Sequence, residues 1–223
     1  MFKTVLFDMD GTLMDTIEDL TDSVNVVLRE LGYPERSLEE VRAFVGNGQR
    51  NLMIRALGDH APEETVERAY ARIRAYYSTH CQIKTKPYDG ILELLGELRK
   101  RKIKIAVVSN KMDAATQAIC HSKFGDLVQV VIGDSPERRK KPHPDGIFDA
   151  LAAMGETADG AVYVGDSEVD VATAQNAGIP LLAVDWGFRS KEQLLAAGAV
   201  KIAHSVAELQ DMILNSNTQT DMG

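Results

Sequence analysis

The chain has very little cysteine: two residues, Cys81 and Cys120, in 223. That excludes a disulfide framework, and their spacing fits no zinc motif. The expectation is a pair of reduced thiols, buried or half buried, in a cytoplasmic protein. No apolar run is long enough to span a bilayer. The N-terminal apolar run is cut short at Asp8, so it does not read as a secretory leader. Positive charge is in deficit. The formal net charge is −8, which argues against a nucleic-acid partner or an anionic membrane surface. Repeats and low-complexity segments are also missing. A chain of this length buries about 70% of its unfolded surface and needs no covalent staples.

The informative stretch is residues 4–15, TVLFDMDGTLMD. Val5, Leu6 and Phe7 form an apolar run without alternation, as in a strand buried on both faces of a parallel sheet. Asp8 and Asp10 follow, then Gly11 for a tight turn and Thr12 with a hydroxyl. Read alone, Asp-x-Asp-Gly also suits a surface turn. A calcium loop does not fit: counted from Asp8, its glycine position is Leu13 and its final glutamate position is Asp19.

Residues 16–80 read as helices only. Thr16 is placed to cap the first, whose apolar face is Ile17, Leu20, Val24, Val27 and Leu31, with Gly32 as its stop. Ser37 and Glu40 have capping-box spacing before a second helix. Gly46-Asn47-Gly48 separates it from a third, and Pro62 opens a fourth. From Pro87 onward, helices alternate with the apolar runs 103–108, 127–132, 161–164 and 180–184; residues 201–203 add an edge strand and 206–214 a last helix. That alternation predicts an α/β fold: a doubly wound, Rossmann-like parallel sheet with an inserted all-helical cap domain. The boundaries are 1–15 and 85–223 for the core and 16–84 for the cap, with hinges near Asp15–Thr16 and Lys84–Pro87. The polar tail, 215–223, is expected to fray.

In such sheets ligands bind beyond the carboxyl ends of the strands. Those ends carry Asp8 and Asp10, then Ser109 and Asn110, then Asp166 with Asp170 one helical turn on, while Lys141 arrives on a loop. Crowded carboxylates call for a cation, and an all-oxygen set completed by water and phosphate suits Mg²⁺. A lysine, a hydroxyl and free backbone N–H groups suit a phosphate. Together these describe a phosphoryl-transfer site. Each part has a plainer use: Ser109-Asn110 as a helix cap, Asp166 and Asp170 as first-turn dipole partners, and Lys141 as one residue of the solvated run 137–141, in which Lys140 is the alternative functional lysine and adjacency to Pro142 favours Lys141.

Four segments in this order, Asp8-Met9-Asp10-Gly11-Thr12, Ser109-Asn110, Lys141-Pro142 and Gly165-Asp166-Ser167-Glu168-Val169-Asp170, resemble the motifs of the haloacid dehalogenase-like hydrolase superfamily over nearly the whole chain. The resemblance implies Asp8 as nucleophile, forming an aspartyl-phosphate, and Asp10 as general acid and then base. It implies that Mg²⁺ is held by the carboxylates of Asp8 and Asp166 and the backbone oxygen of Asp10, with Asp170 supporting the water shell of the metal. Lys141, Ser109, Thr12 and the N–H groups near Gly11 and Asn110 would hold the phosphoryl oxygens. Aspartate at position 10 resembles the phosphatases and phosphomutases of that superfamily. The insert resembles the cap of phosphoglycolate phosphatases, with Gly46, Asn47, Gly48 and Arg50, or alternatively Arg42, over the substrate. The expected activity is hydrolysis of a small phosphorylated metabolite, 2-phosphoglycolate first, by a monomer or homodimer. Pyrophosphate, sugar phosphates, nucleotides, a phosphomutase and a receiver-like signalling module are the alternatives.

Overall fold

The computed structural model describes residues 2–215; of the tail expected to fray, Asn215 is instead the last residue of a helix, and 216–223 lie outside the described residues. Strand β1 (Thr4–Phe7) is buried at every position. Its side chains divide by parity, as a strand's period of two requires. Val5 and Phe7 enter one apolar cluster, and Leu6 enters another on the opposite face. The strand is therefore central, and both faces of the sheet are covered.

The remaining core strands are β4 (Lys104–Met112), β5 (Val130–Asp134), β6 (Ala161–Gly165), β7 (Leu181–Val184) and β8 (Ile202–Ala203). The sheet order is β5-β4-β1-β6-β7-β8, and every neighbouring pair is parallel. From β1 the chain builds outward through β4 on one side and β6 on the other. The crevice between them is the topological switch point. One face is covered by α5 (Ile91–Lys100), α6 (Asp113–Phe124) and α10 (Val206–Asn215), through residues such as Leu94, Ile119 and Ile213. The other carries α7 (Asp145–Ala153) and α8 (Glu168–Ala177), through Ile147, Leu151 and Ala174. A short helix, α9 (Lys191–Ala196), precedes β8 and had no counterpart in the sequence reading.

Four helices are inserted after β1: α1 (Ile17–Glu30), α2 (Leu38–Phe44), α3 (Gly48–Leu57) and α4 (Glu63–His80). They pack through Val24, Val41, Met53, Ile73 and Tyr77, all buried. The capping box at Ser37 and Glu40 forms as its spacing predicts. Thr16 does not cap α1. Its hydroxyl is buried without a partner, and the Asp15 carboxylate accepts from Ile17 N–H instead, at 3.4 Å.

The two connections between insert and sheet pair with each other. β2 (Met14–Asp15) and β3 (Lys86–Pro87) form an antiparallel ladder. Asp19 reinforces it by accepting from the N–H groups of Lys84 and Thr85 at 2.8–3.0 Å. The segments expected to act as hinges are thus held side by side.

Candidate active site

The site lies at the carboxyl edge of β1, β4 and β6, under the insert. Asp8 leaves β1 with its backbone N–H still bonded to Val164 O at 2.8 Å, so the sheet fixes its position. Lys141 Nζ lies 2.8 Å from Asp8 Oδ1, 2.8 Å from Asp170 Oδ1 and 3.0 Å from the Tyr163 hydroxyl. Tyr163 projects from β6 and donates to Val108 O at 3.1 Å. It thereby ties β4, β6 and the lysine together.

Asp170 orders the other side. Ser167 caps α8, and Asp170 Oδ2 accepts from Ser167 Oγ at 2.6 Å and from Ser167 N–H at 3.1 Å. Asp166 Oδ1 accepts from the Thr12 hydroxyl at 3.1 Å, and Oδ2 from Phe188 N–H at 2.7 Å. The backbone fits closely around it. A Cβ on Gly11, whose φ is +90°, would stand 2.3 Å from Asp166 Oδ2, and one on Gly187 would stand 2.3 Å from Gly11 O. Both positions exclude a side chain.

Oxygens of Asp8, Asp166 and Asp170 lie within 4.8 Å of one another, and all three residues are buried. The charges respond to this crowding. Burial lifts the Asp8 carboxyl from 3.8 to about 7; Lys141 opposes the shift, and Asp170 and Asp10 add to it. Burial, then Asp170 and Asp8, raises Asp166 well above the carboxylate range. For Lys141, burial works against the ammonium, but Asp170 and Asp8 outweigh it and hold the proton firmly. Three buried hard oxygen ligands short of positive charge suit a divalent cation such as Mg²⁺.

Asp10 turns to the opposite wall. Both its oxygens meet Lys111 Nζ, at 2.9 and 3.1 Å, and the same ammonium lies 2.6 Å from the Tyr77 hydroxyl of α4. Burial favours the neutral amine, but Asp10 and then Tyr77 prevail and raise Lys111 above the ordinary lysine value. The sequence reading passed over Lys111, although it directly follows Ser109-Asn110 at the end of a buried apolar run. Strand β4 runs past the predicted end at Val108, with a register shift between Val108 and Met112. That irregularity carries Ser109, Asn110 and Lys111 into the site instead of into a helix cap.

Between rim and insert lies a pocket of about 640 Å³, its open mouth included. Asp8, Asp10, Ser109, Lys141 and Asp166 form the floor; Leu20, Leu52 and Val45 supply apolar cover from the insert, with Gly46 and Gly48 beside them. Several expected binding residues are used otherwise. Arg50 is bonded to Glu63 and Glu67 on α4, the latter at 2.7 Å, and does not line the pocket. Asn47 is not among the lining residues either. Thr12 spends its hydroxyl on Asp166. Gly11 N–H donates to Met14 O at 2.9 Å and Thr12 N–H to Met9 O at 3.3 Å, so neither is offered to a ligand. Arg42 does not line the pocket either; its carbonyl accepts from Arg189 Nη1 at 3.2 Å.

Arg189, which the sequence reading also missed, is, with Lys111, a cation that joins core and insert. Glu168 holds Nε at 2.7 Å, and Nη2 donates to Val45 O at 2.6 Å. The carbonyls it meets close the C-terminus of α2, the end of a helix that favours a cation. Asn110 Nδ2 adds a weaker link to Gly46 O at 3.3 Å. Among the described residues, two polar groups in the pocket have no partner: Asn110 Oδ1, and both amide atoms of Gln49. An unpaired buried group of this kind costs about 1–3 kcal/mol.

Residues 5–184 match the haloacid dehalogenase-like hydrolase family. A Rhodospirillum rubrum protein named phosphoglycolate phosphatase is 33% identical over 96% of this chain and 91% of its own. Another of that name, from Pseudomonas savastanoi pv. phaseolicola, is 36% identical over 83% of this chain and 70% of its own. A crystal structure from Lactobacillus delbrueckii subsp. bulgaricus superposes with a TM-score of 0.92 at 33% identity, covering 96% of this chain and 99% of that one. Family match, sheet order and the aspartates gathered at the strand ends agree, and the chain belongs to the haloacid dehalogenase-like hydrolases.

Proposed function

We propose that the protein is a Mg²⁺-dependent phosphatase that hydrolyses 2-phosphoglycolate through an aspartyl-phosphate on Asp8. The observation that carries this reading is the setting of Asp8. It has Lys141 at 2.8 Å, a buried carboxylate group beside it, and Asp10 across the same pocket. The substrate class is supported by the names of the two relatives.

Asp8, Asp166, Asp170 and the backbone oxygen of Asp10 would hold the ion, which when bound neutralises phosphoryl charge and the charge of the carboxylates. The rest of the chemistry falls to the chain. A carboxylate oxygen of Asp8 bonds to phosphorus as the ester P–O bond breaks, and the departing alkoxide takes a proton from Asp10. Asp10 then removes a proton from water, whose oxygen displaces Asp8 and releases inorganic phosphate. Splitting the displacement in two lowers each barrier, and a positioned acid contributes about 10²–10⁴-fold. Lys141 and Ser109 face the phosphoryl oxygens, where stabilising charge has most effect.

The insert α1–α4, residues 16–84, acts as a lid on the core formed by 1–15 and 85–223. It excludes water during the first step and admits it for the second. Among the described residues no helix is long and apolar enough to cross a membrane, and Cys81 and Cys120 are buried free thiols. A cytoplasmic location is part of the proposal.

The test is phosphate release from a panel of small phosphoesters, with Mg²⁺ present and after chelation. The expected result is Mg²⁺-dependent turnover, fastest with 2-phosphoglycolate. Turnover without preference for that ester would overturn the substrate, and no turnover of any monoester would overturn the activity.

A further inference from the structure

Three cations line the pocket among the described residues: Lys111, Lys141 and Arg189. Two are committed. Lys141 is wedged between Asp8 and Asp170. Arg189 spends its guanidinium on Glu168 and on two backbone carbonyls of the insert. Lys111 is different, because its main partner is Asp10, a group that must turn toward the ester oxygen to act as its acid. In this structure Lys111 holds both oxygens of that carboxyl.

Gln49 makes a second and separate observation. It is the second residue of α3 and lines the same pocket, yet its Nε2 and Oε1 are buried with no partner. Nothing in the fold of the insert uses this amide. A fully apolar side chain of similar size would fit the surroundings of Leu52 and Val45 without that cost.

We infer that Lys111 and Gln49 form a subsite for a carboxylate on the substrate's tail, and that the arrival of this tail draws Lys111 away from Asp10. The inference rests on the phosphatase reading and narrows it to phosphoesters with an anion close to the ester oxygen. A carboxylate only accepts, and it has two oxygens to satisfy. One meets the Lys111 ammonium and the other meets Gln49 Nε2, a charge-assisted arrangement stronger than neutral pairing. In this structure the three ammonium protons go to the two Asp10 oxygens and the Tyr77 hydroxyl; with the tail in place one stays on Tyr77, one on Asp10 and one turns to the tail, which leaves one Asp10 oxygen free to face the leaving group. Gln49 Oε1 is satisfied by a water carried in with the substrate. A neutral tail does neither: Asp10 stays held at both oxygens, and Gln49 stays unpaired. Selectivity therefore enters through binding and turnover together.

The experiment compares 2-phosphoglycolate with ethyl phosphate, which has the same phosphoryl group and a neutral tail. Turnover is measured on the full chain with Mg²⁺, and binding on the Asp8→Asn protein by calorimetry. Gln49→Leu is expected to cut the preference for 2-phosphoglycolate, as a ratio of kcat/KM values, by about 10- to 100-fold. Its Tm should hold or rise, which a structural role for the amide would not allow. Lys111→Met is expected to erase the preference, and Lys111→Arg to restore part of it. Equal losses for both esters would overturn the inference and leave Lys111 a support for Asp10 alone. An unchanged ratio in both variants would overturn it as well. Were wild type to release no phosphate from any monoester, the phosphatase reading would fail first. The binding arm would still decide the subsite: carboxylate-dependent binding lost in Gln49→Leu supports it, and indifference to the tail overturns it.

Discussion

The rim of the sheet and the inserted lid face each other across one pocket, and they are built on opposite plans. On the rim nearly every charge is buried and has a named partner: Lys141 with Asp8 and Asp170, Asp166 with Thr12 and Phe188 N–H, Asp10 with Lys111. On the lid the ion pairs lie outside, as Arg50 with Glu63 and Glu67 and Arg72 with Glu30 show. The lid's pocket face is apolar apart from Gln49, the Tyr77 hydroxyl and the backbone of Gly46 and Gly48. Packed polar networks in a low dielectric are rigid and strong when complete. An apolar cover excludes water and contributes selectivity through few contacts. On the proposed reading the rim is fixed for one reaction, while Gln49 on the lid and Lys111 beside Asp10 select the molecule that undergoes it.

The sharpest break in that contrast is Asp8→Asn. It removes the proposed nucleophile while keeping the shape, so kcat should fall by at least about 10⁴-fold. A stopped phosphate-release assay with 2-phosphoglycolate reads this directly. Residual activity within tenfold of wild type would mean that another rim group attacks phosphorus.

The next effect concerns the ion. Without metal, the folded Asp8 carboxyl titrates at about 7 against an ordinary 3.8, so folding favours its protonated form. Its contribution is favourable at low pH and is lost as pH rises from about 4 to about 7. Above that window the rim holds uncompensated carboxylates, and a cation gains most. Mg²⁺ at about 100 times its Kd should raise Tm by roughly 5–10 °C at pH 8. The shift should be smaller at pH 5, where protons compete for the same oxygens. Asp166→Asn should shrink it. Equal shifts at both pH values would remove the carboxylates from the ion's site.

Legibility divided along the same line. Asp8 and Asp10 could be read because they directly follow a buried run, and Asp170 because its spacing from Asp166 is one helical turn. Ser37 and Glu40 could be read because capping is local. Arg50 was misplaced because its true partners, Glu63 and Glu67, lie 13 and 17 residues away across a turn between α3 and α4. Arg189 was missed because its lid partner, Val45, is 144 residues distant. Its only sequence signal was its place just after an apolar run, beyond a strand end. Thr16 had the right position for a cap, but Asp15 took the role. Partners set by chain neighbours are visible in sequence; partners set by the closing of lid on rim are not.

Arg189 tests whether the contrast needs this closing. Arg189→Met keeps the stem but cuts the bonds to Glu168 and to the carbonyls of Arg42 and Val45. Hydrogen bonds from a charged group of this kind justify a rise of roughly 10- to 100-fold in KM for 2-phosphoglycolate. The value of kcat should fall less, since no reacting atom touches the guanidinium. Lysine at this position should recover part of the loss by meeting one carbonyl. A variant with unchanged KM would show that the lid seats itself without help from the rim.

The smallest effect sharpens the division within the lid itself. Arg50 lies next to Gln49, yet its guanidinium points away from the pocket toward α4. Exposed pairs contribute little to folding, so Arg50→Gln should leave Tm nearly where it was. It should also leave both kcat and KM for 2-phosphoglycolate unchanged within about twofold, because a screened charge outside the pocket hardly acts on a ligand inside it. Gln49→Leu, one residue earlier on the same helix, should act on selectivity, and the pair therefore separates pocket face from outer face at single-residue resolution. A tenfold rise in KM on Arg50→Gln would mean that the arginine swings inward over bound substrate. The lid would then read the tail by charge, as the rim reads the phosphoryl group.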